Sequence, residues 1–450
     1  MGSLFGTDGI RGVANTDPIT PEVAVQVGRA VATVLRKNHR ARIVIGKDTR
    51  LSGDMIVTAL ASGICSVGGA VDMAGVLPTA GVGYLTAADG CDAGIVVSAS
   101  HNPFYDNGIK LFDNKGFKLS MAVEAEIEAH VLAGCRDIAP AGHGEIGTTA
   151  PSADPHHRYA QFLVSAALAD TDFSGFNIVL DCANGATHAV APLVFSKLGA
   201  NVTTLFDQPD GININDHCGS QHIETLRQTV AESRADVGLA FDGDGDRLIA
   251  VDETGRAVTG DQILAICAKH MKDNNKLANN LVVSTVMSNM GLRNALREMD
   301  IDHVITDVGD RYVLAQMIEN GAVIGGEDSG HMIFLDHHSS GDGILTAIRL
   351  METVRQTKRP LSDLAGIMKI YPQVLKNVKI QEKTDIYQIP EIADTIRDVE
   401  QRLNGQGRVL VRYSGTQPLC RVMVEGPDKA ATEQYCQRIV DVIESKIGEK

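Results

Sequence analysis

Tryptophan is absent from this 450-residue chain, and aromatic residues make up only 4% of it. Single-stranded nucleic acid is held largely by stacking on aromatic rings, so a stacking platform is not expected. No apolar run approaches the roughly 18 residues needed to cross a bilayer, which argues against a membrane role. The opening Met1-Gly2-Ser3-Leu4-Phe5-Gly6 lacks a basic stretch ahead of an apolar one, and Gly6 stands where a myristoylation signal has Ser or Thr. Neither secretion nor lipid anchoring is expected. None of the eight cysteines forms a Cys-x-x-Cys pair, which reads as reduced core thiols in a cytoplasmic protein. Also missing are Gly-x-x-x-x-Gly-Lys-Ser/Thr and a strand-to-helix Gly-x-Gly-x-x-Gly, so nucleotide chemistry has no anchor. Basic residues are outnumbered 41 to 56, for a net charge of −15. That balance repels nucleic acid at long range, and a phosphate ligand would need local cationic groups.

What is present is a long α/β chain, 44% hydrophobic, with one pattern recurring three times. The first copy runs from Ile43-Val44-Ile45 through Gly46-Lys47-Asp48-Thr49-Arg50 to a helix over about 54–66. The second starts at Asn177-Ile178-Val179-Leu180, and the third at Leu281-Val282-Val283. Strands alternating with helices of this length imply largely parallel sheets covered by helices. Each copy is followed by a short apolar strand that opens into a polar loop: Ser98 to Pro103, Asp242 to Arg247, and Gly325 to His331. Ligands in open α/β sheets gather at the carboxyl ends of strands, so the three loops are expected to converge on one cleft. The tail breaks the pattern, with a strand over 374–380, a helix over 390–403, a hairpin of 408–412 with 419–425, and an amphipathic helix over 428–447. Boundaries are expected near 150, 252 and 370, giving domains 1–150, 151–252, 253–370 and 371–450. The stretch 139–155, rich in Gly, Ala, Pro and His, reads as a linker.

Asp242, Asp244 and Asp246 alternate with Gly, so the backbone can curl and gather three carboxylates. Oxygen-only ligands select a hard cation, and Mg²⁺ suits such a set. An EF-hand is the competing metal reading; it fails because Arg247 occupies the position of its required Gly, after a strand rather than a helix. Ser100 follows a strand end in Ser-Ala-Ser-His-Asn-Pro, where a turn can present its hydroxyl. A seryl oxygen that accepts and returns phosphate needs a cation on the phosphate and a proton carrier nearby, for which His101 and Lys110 are both candidates. Glu327 and Ser329 lie in a Gly-rich loop suited to hydrogen-bonding sugar hydroxyls. Arg412, Ser414, Gly415 and Thr416, with Arg421 across the hairpin, are suited to a phosphate dianion. Each of these segments has a plainer reading as a turn or a surface salt bridge. His pairs at 156–157 and 337–338 lack metal-site spacing and are expected on exposed loops.

Together Ser-Ala-Ser-His-Asn-Pro, Asp-Gly-Asp-Gly-Asp-Arg, Gly-Glu-Asp-Ser-Gly-His and Arg-Tyr-Ser-Gly-Thr occur in the order of the α-D-phosphohexomutase family, which the whole chain resembles. Phe5 to Gly12, Phe104 to Lys110, and Tyr413 resemble the hexosamine-phosphate branch. The resemblance implies three similar mixed-sheet α/β domains followed by a smaller α+β C-terminal domain. It further implies a phosphoserine at Ser100 that also ligates Mg²⁺ with Asp242, Asp244 and Asp246. Arg11, His101, Lys110 and Arg247 would line the reacting end, Glu327 and Ser329 would hold the sugar, and the tail loop its idle phosphate. A sugar 1,6-bisphosphate would serve as intermediate and activator, a hexosamine phosphate as substrate, and the chain would be a homodimer. Asp328 and Gln417 depart from the branch's usual Gln and Glu. Alternatives are a mutase of another hexose phosphate, a Mg²⁺-dependent phosphatase with a carboxylate nucleophile, and a sugar-phosphate-binding module without catalysis.

Overall fold

A computed structural model describes residues 4–6, 8–37, 39–413 and 418–449. Packing divides the chain into two units, Met1–Met287 with Ile301–Ile367, and Ser288–Asp300 with Met368–Lys450. The first unit holds three sheets that share one topology. In the first sheet the strands Ala70–Val76, Arg42–Lys47 and Ala93–Val97 run parallel in that order, and Asp106–Asp113 returns antiparallel beside the last. The second repeats this with Asn201–Leu205, Asn177–Asp181, Val237–Phe241 and the returning Leu248–Asp252. The third does so with Asp302–Thr306, Leu281–Thr285, Ile324–Gly326 and the returning Met332–Phe334.

The returning strand is what makes the sheets mixed rather than parallel throughout. It also explains the chemistry-bearing loops, each of which joins the third parallel strand to its antiparallel partner. Ala93–Val97 and Val237–Phe241 are buried at every residue, as strands covered on both faces must be. Polar residues are therefore confined to their ends. The stretch expected to be a linker supplies a strand, Thr149–Pro151, which pairs parallel with Ala70–Val76 at the sheet edge. The two His pairs also differ from expectation. His156 and His157 open the helix Pro155–Ala166, where the Pro155 ring is pre-set for a first turn, and His338 is buried.

The second unit carries the order Gln373–Lys379, Leu419–Glu425, Arg408–Tyr413, all antiparallel, with the helices Pro390–Leu403 and Lys429–Ile447 on it. Asp428 caps the last helix by accepting from Ala431 N at 2.8 Å. Val378, Val422, Val424, Ile396, Ile439 and Ile443 form its core. Met290–Glu298 belongs to this unit too, its Met290 N donating to Glu425 at 3.1 Å.

Within the first unit, Tyr159 on Pro155–Ala166 is wholly buried, and its hydroxyl donates to Asp342 at 2.6 Å. Asp342 in turn caps the helix Gly343–Thr357 through Leu345 N. Tyr159→Phe leaves that buried carboxylate short of a donor, and is expected to lower unfolding stability by about 2 kcal/mol. Urea titration would register this as a lower midpoint, with divalent-ion affinity unchanged.

Candidate active site

The strand Val237–Phe241 is followed by Asp242, and the next four residues fold back so that carboxylate oxygens of Asp242, Asp244 and Asp246 lie within 4.8 Å of one another. The two intervening glycines serve different ends. A Cβ on Gly243 would stand 2.6 Å from the Ser100 carbonyl oxygen, whereas Gly245 has φ +71°, which side chains disfavour. The loop's three successive carbonyls are gripped from three directions: Gly243 O accepts from Ala186 N at 2.8 Å, Asp244 O from Thr79 N at 2.9 Å, and Gly245 O from Gly343 N at 2.9 Å. Thr79 also donates its hydroxyl to Asp244 Oδ2 at 2.6 Å.

Three buried carboxylates repel one another, and the surrounding charges answer that repulsion. Lys110 Nζ lies 2.8 Å from Asp244, 3.2 Å from Asp8 and 3.3 Å from Asp246. Burial would lower the Lys110 pKa, but Asp244, Asp8 and Asp246 carry it well above the usual value. Lys118 bridges Asp8 to Asp310, and His331 stands 3.5 Å from Asp310 and 3.6 Å from Asp246. Burial opposes protonation of His331, yet Asp246 and Asp310 push it up to about 9. A closed ring results, Asp246–Lys110–Asp8–Lys118–Asp310–His331, in which charge alternates at neutral pH. Asp246 falls well below the usual carboxylate range, since Lys110, His331 and Arg247 outweigh its burial. Asp242 goes the other way, raised by burial and by Asp246 and Asp244.

Ser100 occupies the left-handed region, with φ +54°, and is almost fully buried. Its hydroxyl donates to Asp242 Oδ2 at 2.5 Å and lies 3.4 Å from His101 Nδ1. That same His101 nitrogen accepts from Arg247 at 2.8 Å. Burial, Arg247 and Arg11 lower the His101 pKa to about 4, so the ring is neutral at pH 7. Arg11 pairs with Asp8. The structure therefore gathers Ser100, His101, Lys110, Arg11, Arg247 and the three aspartates at one place. The third loop adjoins it through the bridge between Arg247 and His331, and Leu248 N donates to Gly330 O at 3.0 Å. In that loop Glu327 accepts from Gly309 N at 3.1 Å. The Asp328 carboxylate accepts from Asp261 N at 3.4 Å, at the start of the helix Gly260–Asp273, where negative charge is favoured.

The buried polar atoms left without a hydrogen-bond partner among the described residues mark what the site can hold. They include Asp244 Oδ1, Asp246 Oδ1, Arg247 Nε and Ser329 Oγ. Two carboxylate oxygens beside Asp242 without hydrogen bonds fit a hard divalent cation, although Asp246 Oδ1 lies 3.8 Å from Arg247 Nε, and the Ser329 hydroxyl fits a polyhydroxylated or anionic ligand. In the second unit, Arg412 and Arg421 stand directly opposite each other across the hairpin, and Arg421 Nε has no hydrogen-bond partner among the described residues. Ser414, Gly415, Thr416 and Gln417 lie outside the described residues. Asp8, Thr79, Lys118, Asp310 and His331 were not singled out by sequence reasoning. Only His331 and Asp8 sat inside quoted motifs, and nothing local signalled the partners of the others.

The chain belongs to the phosphoglucomutase/phosphomannomutase family. Its profiles match as alpha/beta/alpha domain I over residues 2–135, domain II over 157–255, domain III over 259–371 and the C-terminal domain over 375–442. Among curated relatives, the chain is 54% identical to a phosphoglucosamine mutase of Syntrophus aciditrophicus and 52% identical to one of Syntrophobacter fumaroxidans, in both cases over the full length of each chain. Among solved structures, it is similar in fold to a family protein from Burkholderia thailandensis, with TM-score 0.80, 24% identity and 99% of each chain covered. The N-acetylphosphoglucosamine mutase of Aspergillus fumigatus, solved with GlcNAc-6P and magnesium, matches with TM-score 0.71 and 15% identity, covering 98% of this chain and 95% of that one. The four-domain architecture is thus three mixed α/β domains and a smaller C-terminal domain with a three-stranded sheet.

Two outcomes follow for the site. Asp244→Asn should abolish divalent-ion binding, and Thr79→Val, which removes only the hydroxyl behind Asp244, should weaken it about tenfold, as measured by calorimetric titration. His101 should stay neutral from pH 9 down to pH 5 by imidazole carbon chemical shifts. Because its folded pKa is lower than the unfolded value, it should cost stability only as pH falls below about 6.5.

Proposed function

We propose that this chain is a magnesium-dependent phosphoglucosamine mutase, interconverting glucosamine 6-phosphate and glucosamine 1-phosphate through a phosphorylated Ser100. The observation that carries the reaction is the Ser100 hydroxyl 2.5 Å from Asp242, at the edge of the acidic cluster. Support for the sugar comes from the full-length identity of 54% to a phosphoglucosamine mutase. Asp242, Asp244 and Asp246, with the phosphate on Ser100, would hold Mg²⁺. When bound, it supplies positive charge to the phosphate oxygens. In the forward half, the Ser100 Oγ–P bond breaks, the 6-phosphate's free hydroxyl gains the phosphoryl group, and the hydroxyl proton is replaced on Ser100. The bisphosphate then turns end for end and returns its other phosphoryl group to Ser100, so the protein ends as it began.

Lys110, kept as an ammonium by Asp244, Asp8 and Asp246, would give a proton to the leaving Ser100 Oγ and recover one from the attacking sugar hydroxyl. His101, neutral and with its Nδ1 engaged, orients Arg247 toward the transferring group. Arg11 and Arg247 stabilise the charge on that group. Glu327 and the unpartnered Ser329 hydroxyl would bind sugar hydroxyls in either orientation. The far phosphate would be held by Arg412 and Arg421, whose facing positions put two like charges together, and by Ser414, Gly415 and Thr416. In this reading the domains divide near 150, 252 and 370. The enzyme would work in the cytoplasm as a homodimer and feed UDP-N-acetylglucosamine and cell-wall synthesis. No helix among the described residues is long and apolar enough to cross a membrane.

The deciding measurement is turnover of glucosamine, glucose and mannose 6-phosphates, each with a catalytic amount of its 1,6-bisphosphate. The largest kcat/KM is expected for the glucosamine compound, and a clear preference for either other sugar would overturn that part of the reading. Ser100→Ala should lose all mutase activity. A phosphatase with a carboxylate nucleophile would survive the change.

A further inference from the structure

Arg50 is the largest side chain buried without exposure, and it touches none of the three aspartates. All five of its N–H donors are used. Nε donates to Asp48 Oδ2 at 2.8 Å, one terminal nitrogen donates to the carbonyls of Ser100 at 2.9 Å and Asn102 at 2.8 Å, and the other donates to those of Pro103 and, at 3.0 Å, Asp106. Three of the five bonds thus go to backbone carbonyls of the loop that carries Ser100, and a fourth goes to that of Asp106, the first residue of the strand that follows it. The same unit reaches Ser100 from its other side. Asp48 Oδ2 accepts from the Ser98 hydroxyl at 2.6 Å, and Ser98 Oγ accepts from Ser100 N at 2.9 Å. Asn215, from a separate loop, adds donations to Ser100 O at 2.9 Å and Asn102 O at 3.0 Å.

These bonds surround a residue that resists its own conformation. A seryl residue at φ +54° is strained relative to the right-handed region, and such conformations persist where the surroundings over-determine them. Relaxation of Ser100 would rotate its Cβ away from Asp242. Building on the reading that Ser100 carries the phosphoryl group, we propose that Arg50 is a positioning residue for the nucleophile, holding Ser100 in the left-handed conformation that aims Oγ at the acidic cluster. The guanidinium is suited to this because its planar fork serves four carbonyls and a carboxylate at once. A lysine ammonium keeps the charge opposite Asp48 but has three donors and no fork. Arg50 acts through the loop and contacts no reacting atom.

The test uses the full-length protein and two variants, Arg50→Lys and Asn215→Ala. Uptake of a phosphoryl group on Ser100 from glucosamine 1,6-bisphosphate is followed by intact mass, alongside kcat, KM, Mg²⁺ affinity and the thermal midpoint. Arg50→Lys should lower kcat and the Ser100 phosphorylation rate together by about a hundredfold, the scale of an ångström misplacement, with KM and Mg²⁺ affinity close to native. Asn215→Ala, which removes no charge and therefore decides the matter should Arg50→Lys fail to fold, should lower both rates about tenfold. Native kcat in Arg50→Lys would show that only charge opposite Asp48 is required and would overturn the proposal. So would unchanged phosphorylation in folded Asn215→Ala, or losses that track the folded fraction alone. Failure of the native chain to phosphorylate Ser100 would overturn the functional reading and this inference with it. Fast uptake by native and variants alike would overturn this inference alone.

Discussion

Everything in the first unit is arranged around an electrostatic problem, the close approach of three buried carboxylates at Asp242, Asp244 and Asp246. In a low-dielectric interior such a cluster cannot stay ionised unless positive charge is nearby, and the protein supplies it asymmetrically. Lys110, His331 and Arg247 hold Asp246 far down, whereas Asp242 is raised and accepts the Ser100 hydroxyl. The cluster therefore has a charged side that can attract a cation and a side that meets the Ser100 hydroxyl. Lys118 and Asp310 extend the alternation until the ring closes at His331, so the local imbalance is spread over six groups rather than left on one pair.

Charge alone would not hold the loop in place, because mobile carboxylates would separate. The backbone answers with three N–H groups, from Ala186, Thr79 and Gly343, on three consecutive carbonyls. Two of these donors stand at or beside helix N-termini, where N–H groups lack intrahelical partners and are available to an outside acceptor. The repeated topology makes this possible. Each sheet sends its third parallel strand into a loop and takes the chain back in an antiparallel strand, so three loops with equivalent origins end side by side. The shared plan leaves each loop free to carry different residues: a buried serine, a set of carboxylates, and a Glu-Asp-Ser turn.

The parts legible in the sequence were those whose meaning is local. Asp-Gly-Asp-Gly-Asp, the strand-end Ser100 and the closing hairpin all declare themselves within a few residues, and the helices over 54–66, 390–403 and 428–447 follow from their apolar spacing. Arg50 stood in a quoted stretch of the first repeat, but an arginine after a strand looks the same whether it faces solvent or five acceptors. Lys118 and Asp310 are 192 residues apart and meet only when the first and third sheets are placed together. The strand Thr149–Pro151 escaped notice because its three residues are exposed and its pairing to Ala70–Val76 is set by the neighbour rather than by its own pattern. Asp328 illustrates the opposite hazard. It departs from the branch's usual Gln right beside Glu327, while its carboxylate is committed to a helix start.

The second unit repeats the logic of the first with the sign reversed. Arg412 and Arg421 face each other on adjacent antiparallel strands, a placement that like charges disfavour unless something negative lies between or beside them. An anion set against the hairpin is the kind of ligand that relieves this repulsion, as a hard cation relieves that of the carboxylates in the first unit. An uncharged group would relieve neither.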